Sequence, residues 1–468
     1  MIKPKMKLEE LLASSEGKRL LLLGKEGRFT KEEIARFLKP YKMSLASTLQ
    51  EDHVVAVVEH PRLTPVEEMV SEEAYEAGVP LYKLADFEKL LSQNIDEDAL
   101  LMGVKLSNDM ERVVRLLGNE HISDTLFVRL LKLYRFSQEE DNRADRDVIV
   151  HTLRRYIAIN PNEEDLLQSY LTLRRLATEA TDEHLLEALM GFPNFSFLVR
   201  GKEKVTLKET IARNPHIGKE SVIKLLGLRD AKVDASLAGN PAVSLEVLHQ
   251  LEAKGDDAVA KALAVNPAID DALFATLLQR GGEVTALLLV HQPIDNHRLA
   301  IIKEANLAPK TEALLGLNES LEATVRATLL AEDEVDLLGY LAANPTISAE
   351  EAEVLWQRDE ESLFAALAAN KATPRWILEA LYEGYDDQLD ILQGLGRNPN
   401  TPPSILHALY AKDRLEINRA LATNASLPDE ILDVLKLDTR LQTELAQNER
   451  LASSFEAVLK QGKVMLNI

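Results

Sequence analysis

The sequence predicts a mainly α protein, an α-solenoid of two-helix repeats of about 26 residues, preceded by a small α/β domain. Three observations carry this. An Asn recurs at a nearly constant interval through the second half of the chain. Leu and Ala dominate the apolar content while aromatics make up only 5%, a balance that suits stacked helices better than sheets. Residues 18–92 have another texture, short apolar runs alternating with amphipathic stretches. The boundaries that follow are 1–92 for the α/β domain, 93–204 for irregular helical repeats and a connector, and 205–468 for the regular array.

The repeat is visible in IARNPHI, LAGNPAV, LAVNPAI, LAANPTI, LGRNPNT and LATNASL, and its Asn residues include Asn214, Asn240, Asn266, Asn344, Asn370, Asn398 and Asn424. Gln292-Pro293 and Asn318 fill the gap as degenerate copies, so the steps are 26 residues, broken once by 28. Asn448 adds a last copy. Asn119 and Asn160 extend the array toward the N-terminus at irregular spacing, with Phe192-Pro193 as a decayed unit after them.

Local chemistry explains the period. DAVAKAL (257–263) reads as a short helix, with Asn266 as a C-terminal residue tolerant of left-handed geometry and Pro267 ending the helix. The second helix restarts at Ser244, an N-cap flanked by the hydrophobic staple Val243 and Leu248. Ser348 with Glu351 reads as a capping box. In Thr373-Pro374 and Thr401-Pro402, Thr is the expected cap and Pro the first helical residue. Leu237, Leu263, Leu341, Leu367, Leu395, Leu421 and Leu445, each three before an Asn, supply the buried face, and the Ala or Gly that usually follows allows close helix contact. Neither helix buries its stripe alone, so units stack. The Asn row reads either as a polar ligand-binding row or as structural capping, and capping fits a residue found wherever a helix must end.

LGRNPNTPPSILHAL (395–409) and LAANKATPRWILEAL (367–381) resemble the line of the leucine-rich repeat variant family over about residues 115–468. The resemblance implies a superhelix of paired short helices with no catalytic site of its own. Family members that carry an iron–sulfur cluster hold it with cysteines, and this chain has none.

In the N-terminal segment, KRLLLLGK (18–25) and HVVAVVEH (53–60) read as buried strands, and TKEEIARFLKPY (30–41) as a capped helix. A helix over 64–77, a Gly78-Val79-Pro80 break, the apolar LYKL and a closing helix ADFEKLL follow. This order, with EEAYEAGVPL as a helix-to-strand junction, resembles a BRCT domain. Where phosphopeptide-binding BRCT domains place a Ser or Thr after the first-strand Gly this chain has Lys25, and where they place a Lys in the second helix it has Glu73. Pro40-Tyr41 replaces the usual Gly-Gly, and Phe87 stands where Trp is typical. A carboxylate at 73 repels phosphate, so the resemblance does not extend to phosphate capture.

Composition removes several function classes. With no cysteine, the chain has no disulfide, thiol nucleophile or thiolate-held metal. No run of 18 apolar residues occurs, and MIKPKMKLEELL turns acidic where a secretory segment needs an apolar stretch, so a soluble, cytoplasmic protein is expected. A net charge of −22 disfavours direct binding of nucleic acid and favours a basic protein partner, or simply solubility. The ten His show no metal spacing, and no Gly-rich phosphate loop or nucleophile elbow is present. No enzymatic activity, cofactor, metal or membrane association is expected.

Two surface features remain. Acidic turns at Asp256-Asp257, Glu332-Asp333-Glu334, Asp359-Glu360-Glu361 and Asp386-Asp387 form either a ridge for a basic partner or a solvated face favoured at helix starts. Twelve residues after successive Asn positions stand Trp356, Tyr382 and Tyr410, where other units carry Glu252, Glu304 or Lys436. Trp376 occupies the place of Glu220, Glu246 and Glu430. These four aromatics are the candidate protein-binding residues. Leu226, Leu278 and Leu330 share the position of Trp356, so packing against a neighbouring unit is the other reading. The function expected is a non-catalytic interaction scaffold whose array binds a protein and whose BRCT-like module recruits or dimerises, so a homo-oligomer fits. The alternatives are an accessory factor in DNA replication or repair acting through protein contacts and, against the charge, a helical-repeat DNA-modifying enzyme.

Overall fold

The structure is a computed structural model that describes residues 6–25, 27–137, 142–157, 166–199 and 203–451. Helices dominate, with a small parallel sheet near the N-terminus. Among the described residues no helix is long and apolar enough to cross a membrane. Contacts divide the chain into two compact units, Met1–Ala242 and Val243–Ile468, a boundary that falls within the regular repeats.

The first unit opens with helix α1 (Leu8–Ser14), strand β1 (Arg19–Leu23), helix α2 (Lys31–Leu38) and strands β2 (Ser44–Ala46) and β3 (Val54–Glu59). Helix α3 (Pro65–Glu76), strand β4 (Leu81–Lys83) and helix α4 (Leu84–Asn94) follow. These four strands pair in parallel, in the order β2-β1-β3-β4. The two apolar runs read from sequence are the central pair. Leu21, Leu23, Val57 and Ala46 pack with Ala74 of α3 on one face of the sheet. Phe37 and Phe87 meet edge to face at 5.9 Å between α2 and α4, and Phe87 is wholly buried. Capping boxes start α2 at Thr30 with Glu33, and α3 at Thr64 with Glu67. Strand β2 was not anticipated. At three residues it carries no alternation of its own and exists because β1 offers a partner edge.

Two contacts join this module to the next helices, α5 (Glu97–Ser107) and α6 (Met110–Leu117). Arg112 of α6 pairs with Glu33 of α2, their side chains only 9% and 10% exposed. Asn119 Nδ2 donates to Ser92 Oγ of α4 at 2.8 Å, and that hydroxyl donates to the Glu88 carbonyl at 2.5 Å. The outlying Asn119 copy thus rests on the α/β module. Asn160 lies outside the described residues. At Phe192-Pro193 the chain leaves its helix for an antiparallel pair, Ser196–Val199 with Glu203–Thr206, which the repeat reading did not foresee. Phe192 is buried there, its ring 4.6 Å from Phe136.

Both units contain two-helix repeats joined by an amide ladder. In the second unit Asn344 Nδ2 donates to the carbonyls of Gly316 and Asn318, and Asn370 to those of Ala342 and Asn344. Asn398, Asn424 and Asn448 repeat the pattern, and Asn240 does so on Ala212 and Asn214 in the first unit. Each Oδ1 accepts the N–H two residues on, skipping the following residue, which in the Asn-Pro copies has no N–H to give. Gln292 keeps the rung, donating to Ala264 and Asn266, while its oxygen accepts from Arg298.

The expected left-handed Asn is corrected by this geometry. Asn344, Asn370, Asn398 and Asn424 are extended, with φ from −69° to −80° and ψ from 117° to 123°. An extended backbone aims the amide across the repeat boundary, and the side-chain turn ends the helix. Left-handed residues sit instead after the second helix of a unit, at Arg229, Gly255, Gly281, Asn306, Asp359 and Asp413. The Thr caps are corrected too. Thr373 and Thr401 donate to the Leu367 and Leu395 carbonyls, both at 2.6 Å, and Pro374 and Pro402 occupy the N-cap positions. Ser348 forms its full capping box, whereas Ser244 stands at an N-cap without a side-chain bond. The Leu residues three before each Asn are all buried.

Candidate protein-binding surface

The four candidate aromatics lie in the second unit, and the structure sorts them by environment. Trp376, second residue of helix Arg375–Gly384, is 48% exposed. Its indole N–H donates to Glu353 of the preceding repeat at 3.3 Å. Val354 beside that Glu is 42% exposed, so Trp376 and Val354 place apolar surface on consecutive second helices.

Trp356, Tyr382 and Tyr410 are half-buried at the ends of their second helices. Trp356 packs at 4.9 Å on Phe364, which is 1% exposed, and Phe364 also meets Tyr385 at 5.1 Å. Tyr382 lies under Lys412, whose Nζ is 6.0 Å from the ring centre. The structure therefore brings Trp356 into a three-ring cluster with Phe364 and Tyr385 and stands Trp376 apart. Tyr385 was missed from sequence because it falls in the loop after the second helix, outside either recurrent position.

The acidic turns are largely engaged by their own chain. Asp256 caps helix Asp257–Ala264 through the Ala258 and Val259 N–H groups. Asp333 pairs with Arg358 at 2.6 Å and Glu332 with Lys303 at 2.7 Å. Asp257 lies 2.8 Å from Lys261, which also reaches Glu283 at 2.7 Å, and those two carboxylates hold the ammonium above its ordinary range. Glu360 and Glu361 remain exposed at a helix start.

In the N-terminal module Lys25 and Glu73 are both exposed, and Glu73 faces Gln50 Nε2 at 3.5 Å. The Gly24 N–H at the end of β1 donates to Glu67 at 3.0 Å. Hydrogen bonds from the Thr64 backbone and hydroxyl, helped by that Gly24 bond, hold the Glu67 carboxyl below its usual range. An internal carboxylate thus already satisfies the donor there. Among the described residues no three His, Asp or Glu side chains converge as metal ligands. Comparison of the chain with protein-family models, with curated proteins and with solved structures finds no match.

Proposed function

We propose that this chain is a non-catalytic cytoplasmic interaction scaffold: an α-solenoid of the leucine-rich-repeat-variant kind that holds a protein partner, with a BRCT-like module that recruits or dimerises. The observation that carries this reading is Trp376. A large aromatic stands exposed where other repeats carry Glu, with exposed Val354 on the preceding second helix, and the buried amide ladder joins the repeats. Trp supplies much contact area at little entropic cost, and a preorganised platform loses little on association. Glu353 touches the indole, and Glu350 lies one turn before it on the same helix. A partner with an apolar anchor flanked by basic residues fits this surface.

The test is titration of the full chain with labelled amphipathic peptides that present Leu and Lys on one helical face. Binding that Trp376→Glu abolishes, with an unchanged thermal melt, supports the proposal. Equal binding by wild type and variant overturns it.

A further inference from the structure

In a chain of net charge −22, a groove of the first unit gathers three cations and no other ionisable side chain. Helix α2 ends at Leu38 and passes through the short turn Lys39–Tyr41, and Lys42, at φ 52°, swings the chain into β2. Arg36, Lys39 and Lys42 are thereby gathered along one shallow groove of about 430 Å³, with Ser44 and Leu45 of β2 forming its other wall. No Asp or Glu lines it. Among the described residues, the one carboxylate paired with any of the three is Glu16, on Lys42, with side chains 67% and 71% exposed. Such an open pair is readily exchanged for another carboxylate.

The groove also runs along a sheet edge. Among the described strands, β2 pairs only with β1. The Ser44 N–H donates to the Lys18 carbonyl at 3.2 Å, and Ser44 lies opposite Arg19. In a parallel ladder Ser44 then turns both backbone groups toward β1, and Leu45 turns its N–H and C=O to the open side. An extended chain laid there finds main-chain partners and, beside them, three cations.

We propose that this groove docks an extended acidic segment of a partner protein, which adds alongside β2 at Leu45 and lays its carboxylates on Arg36, Lys39 and Lys42. A peptide fits better than a nucleic acid. Three cations neutralise few phosphates, and a duplex would press a long polyanion against the acidic remainder of the chain. The inference stands on the first unit and is independent of Trp376.

The experiment is fluorescence anisotropy of the full chain with a labelled octapeptide of alternating Glu and Val. Its Lys/Val counterpart, the same acidic peptide N-methylated at alternate residues, and a short DNA duplex serve as comparisons. The expected result is binding of the acidic peptide alone, weakened about tenfold by Arg36→Glu combined with Lys39→Glu, and weakened also by N-methylation. Trp376→Glu should leave it unchanged, which separates this site from the surface above. A matching circular-dichroism melt checks that the double variant folds, and Lys39→Gln serves as a milder probe. Tighter binding of the duplex, indifference to the charge reversals, or a dimer in sedimentation that the reversals dissociate would each overturn the proposal.

Discussion

Asn370 donates its side-chain N–H to the carbonyl of Asn344 at 2.7 Å, so one ladder residue rests directly on the backbone of the previous one. The same amide donates to Ala342 at 2.8 Å, its oxygen accepts from the Ala372 N–H at 2.9 Å, and the residue is 5% exposed. Three bonds are thus made where water has little access.

Asn370→Ala should therefore be costly. It leaves the Ala342 carbonyl and the Ala372 N–H without a partner and the Asn344 carbonyl with only a 3.5 Å bond from the Ile347 N–H; each orphaned buried group costs about 1–3 kcal/mol, so a loss of about 3 kcal/mol is expected. Asn370→Asp should be no milder, because a carboxylate cannot donate to the Ala342 and Asn344 carbonyls. Urea unfolding, with hydrogen exchange at residues 342–372, measures both. A loss below about 0.5 kcal/mol would show that solvent replaces the amide and that the repeats are held by packing alone.

The ladder was legible as a period and illegible as a mechanism. Recurrence of Asn beside Pro marks a helix end, and local rules offer the left-handed cap as its cause. The bonds that matter run to carbonyls 26 and 28 residues earlier, which no local pattern displays. Thr373 shows the same gap. Thr-Pro suggests a cap for the following helix, whereas the hydroxyl turns back to Leu367. By contrast the Thr30–Glu33 and Ser348–Glu351 boxes were readable because their partners lie three residues apart. The candidate surface divides likewise. Trp376 stands where other units carry Glu, whereas Trp356 shares its place with Leu226, Leu278 and Leu330 as well as with charged residues, and its contact with Phe364, which also meets Tyr385, makes it a packing residue.

Two glycines should respond oppositely to alanine. A Cβ on Gly394 would lie 2.8 Å from Ala368 Cβ and 2.9 Å from the Ala365 carbonyl, so Gly394→Ala forces adjacent repeats apart at about 1–3 kcal/mol. Gly384, the last residue of its helix, meets nothing within 4 Å, and Gly384→Ala should stabilise by about 0.5 kcal/mol. Thermal melts of the two variants check this. Equal shifts would mean that Gly394 does not set the repeat spacing.

A pH dependence resides in the first unit. Glu187 lies between Lys132 and Lys224, the latter at 2.5 Å, and the Lys132 and then the Lys224 hydrogen bond lower its carboxyl to about 2. Because the folded-state value is depressed, the stability it contributes is complete above the ordinary carboxylate range near 4.5 and fades as pH falls from there toward about 2. After discount for solvent screening, Glu187→Gln should cost about 1 kcal/mol at neutral pH and little at pH near 2. Urea midpoints for wild type and variant across that range should converge on acidification. Parallel curves would exclude the carboxylate as the cause.

The two tryptophans give the sharpest contrast between packing and recognition. Trp356 packs on a buried ring that also meets Tyr385, so Trp356→Glu removes part of an aromatic cluster and sets a charge against Phe364. Truncation of a fully buried aromatic costs about 3–5 kcal/mol, and a half-buried one should cost about 2 kcal/mol. Trp376 makes one exposed hydrogen bond to Glu353, so Trp376→Glu should change stability by no more than about 0.5 kcal/mol. Loss of a central aromatic anchor typically weakens an interface by about 2 kcal/mol or more, about thirtyfold in affinity. The expected pattern is therefore a lowered melt with binding retained in the folded fraction for Trp356→Glu. Trp376→Glu should show an unchanged melt with binding lost. Thermal melts run beside titration of the Leu/Lys peptide resolve the pair. If Trp376→Glu lowers the melt as much as Trp356→Glu and leaves peptide affinity untouched, the indole is a packing residue and the binding surface is not centred on it.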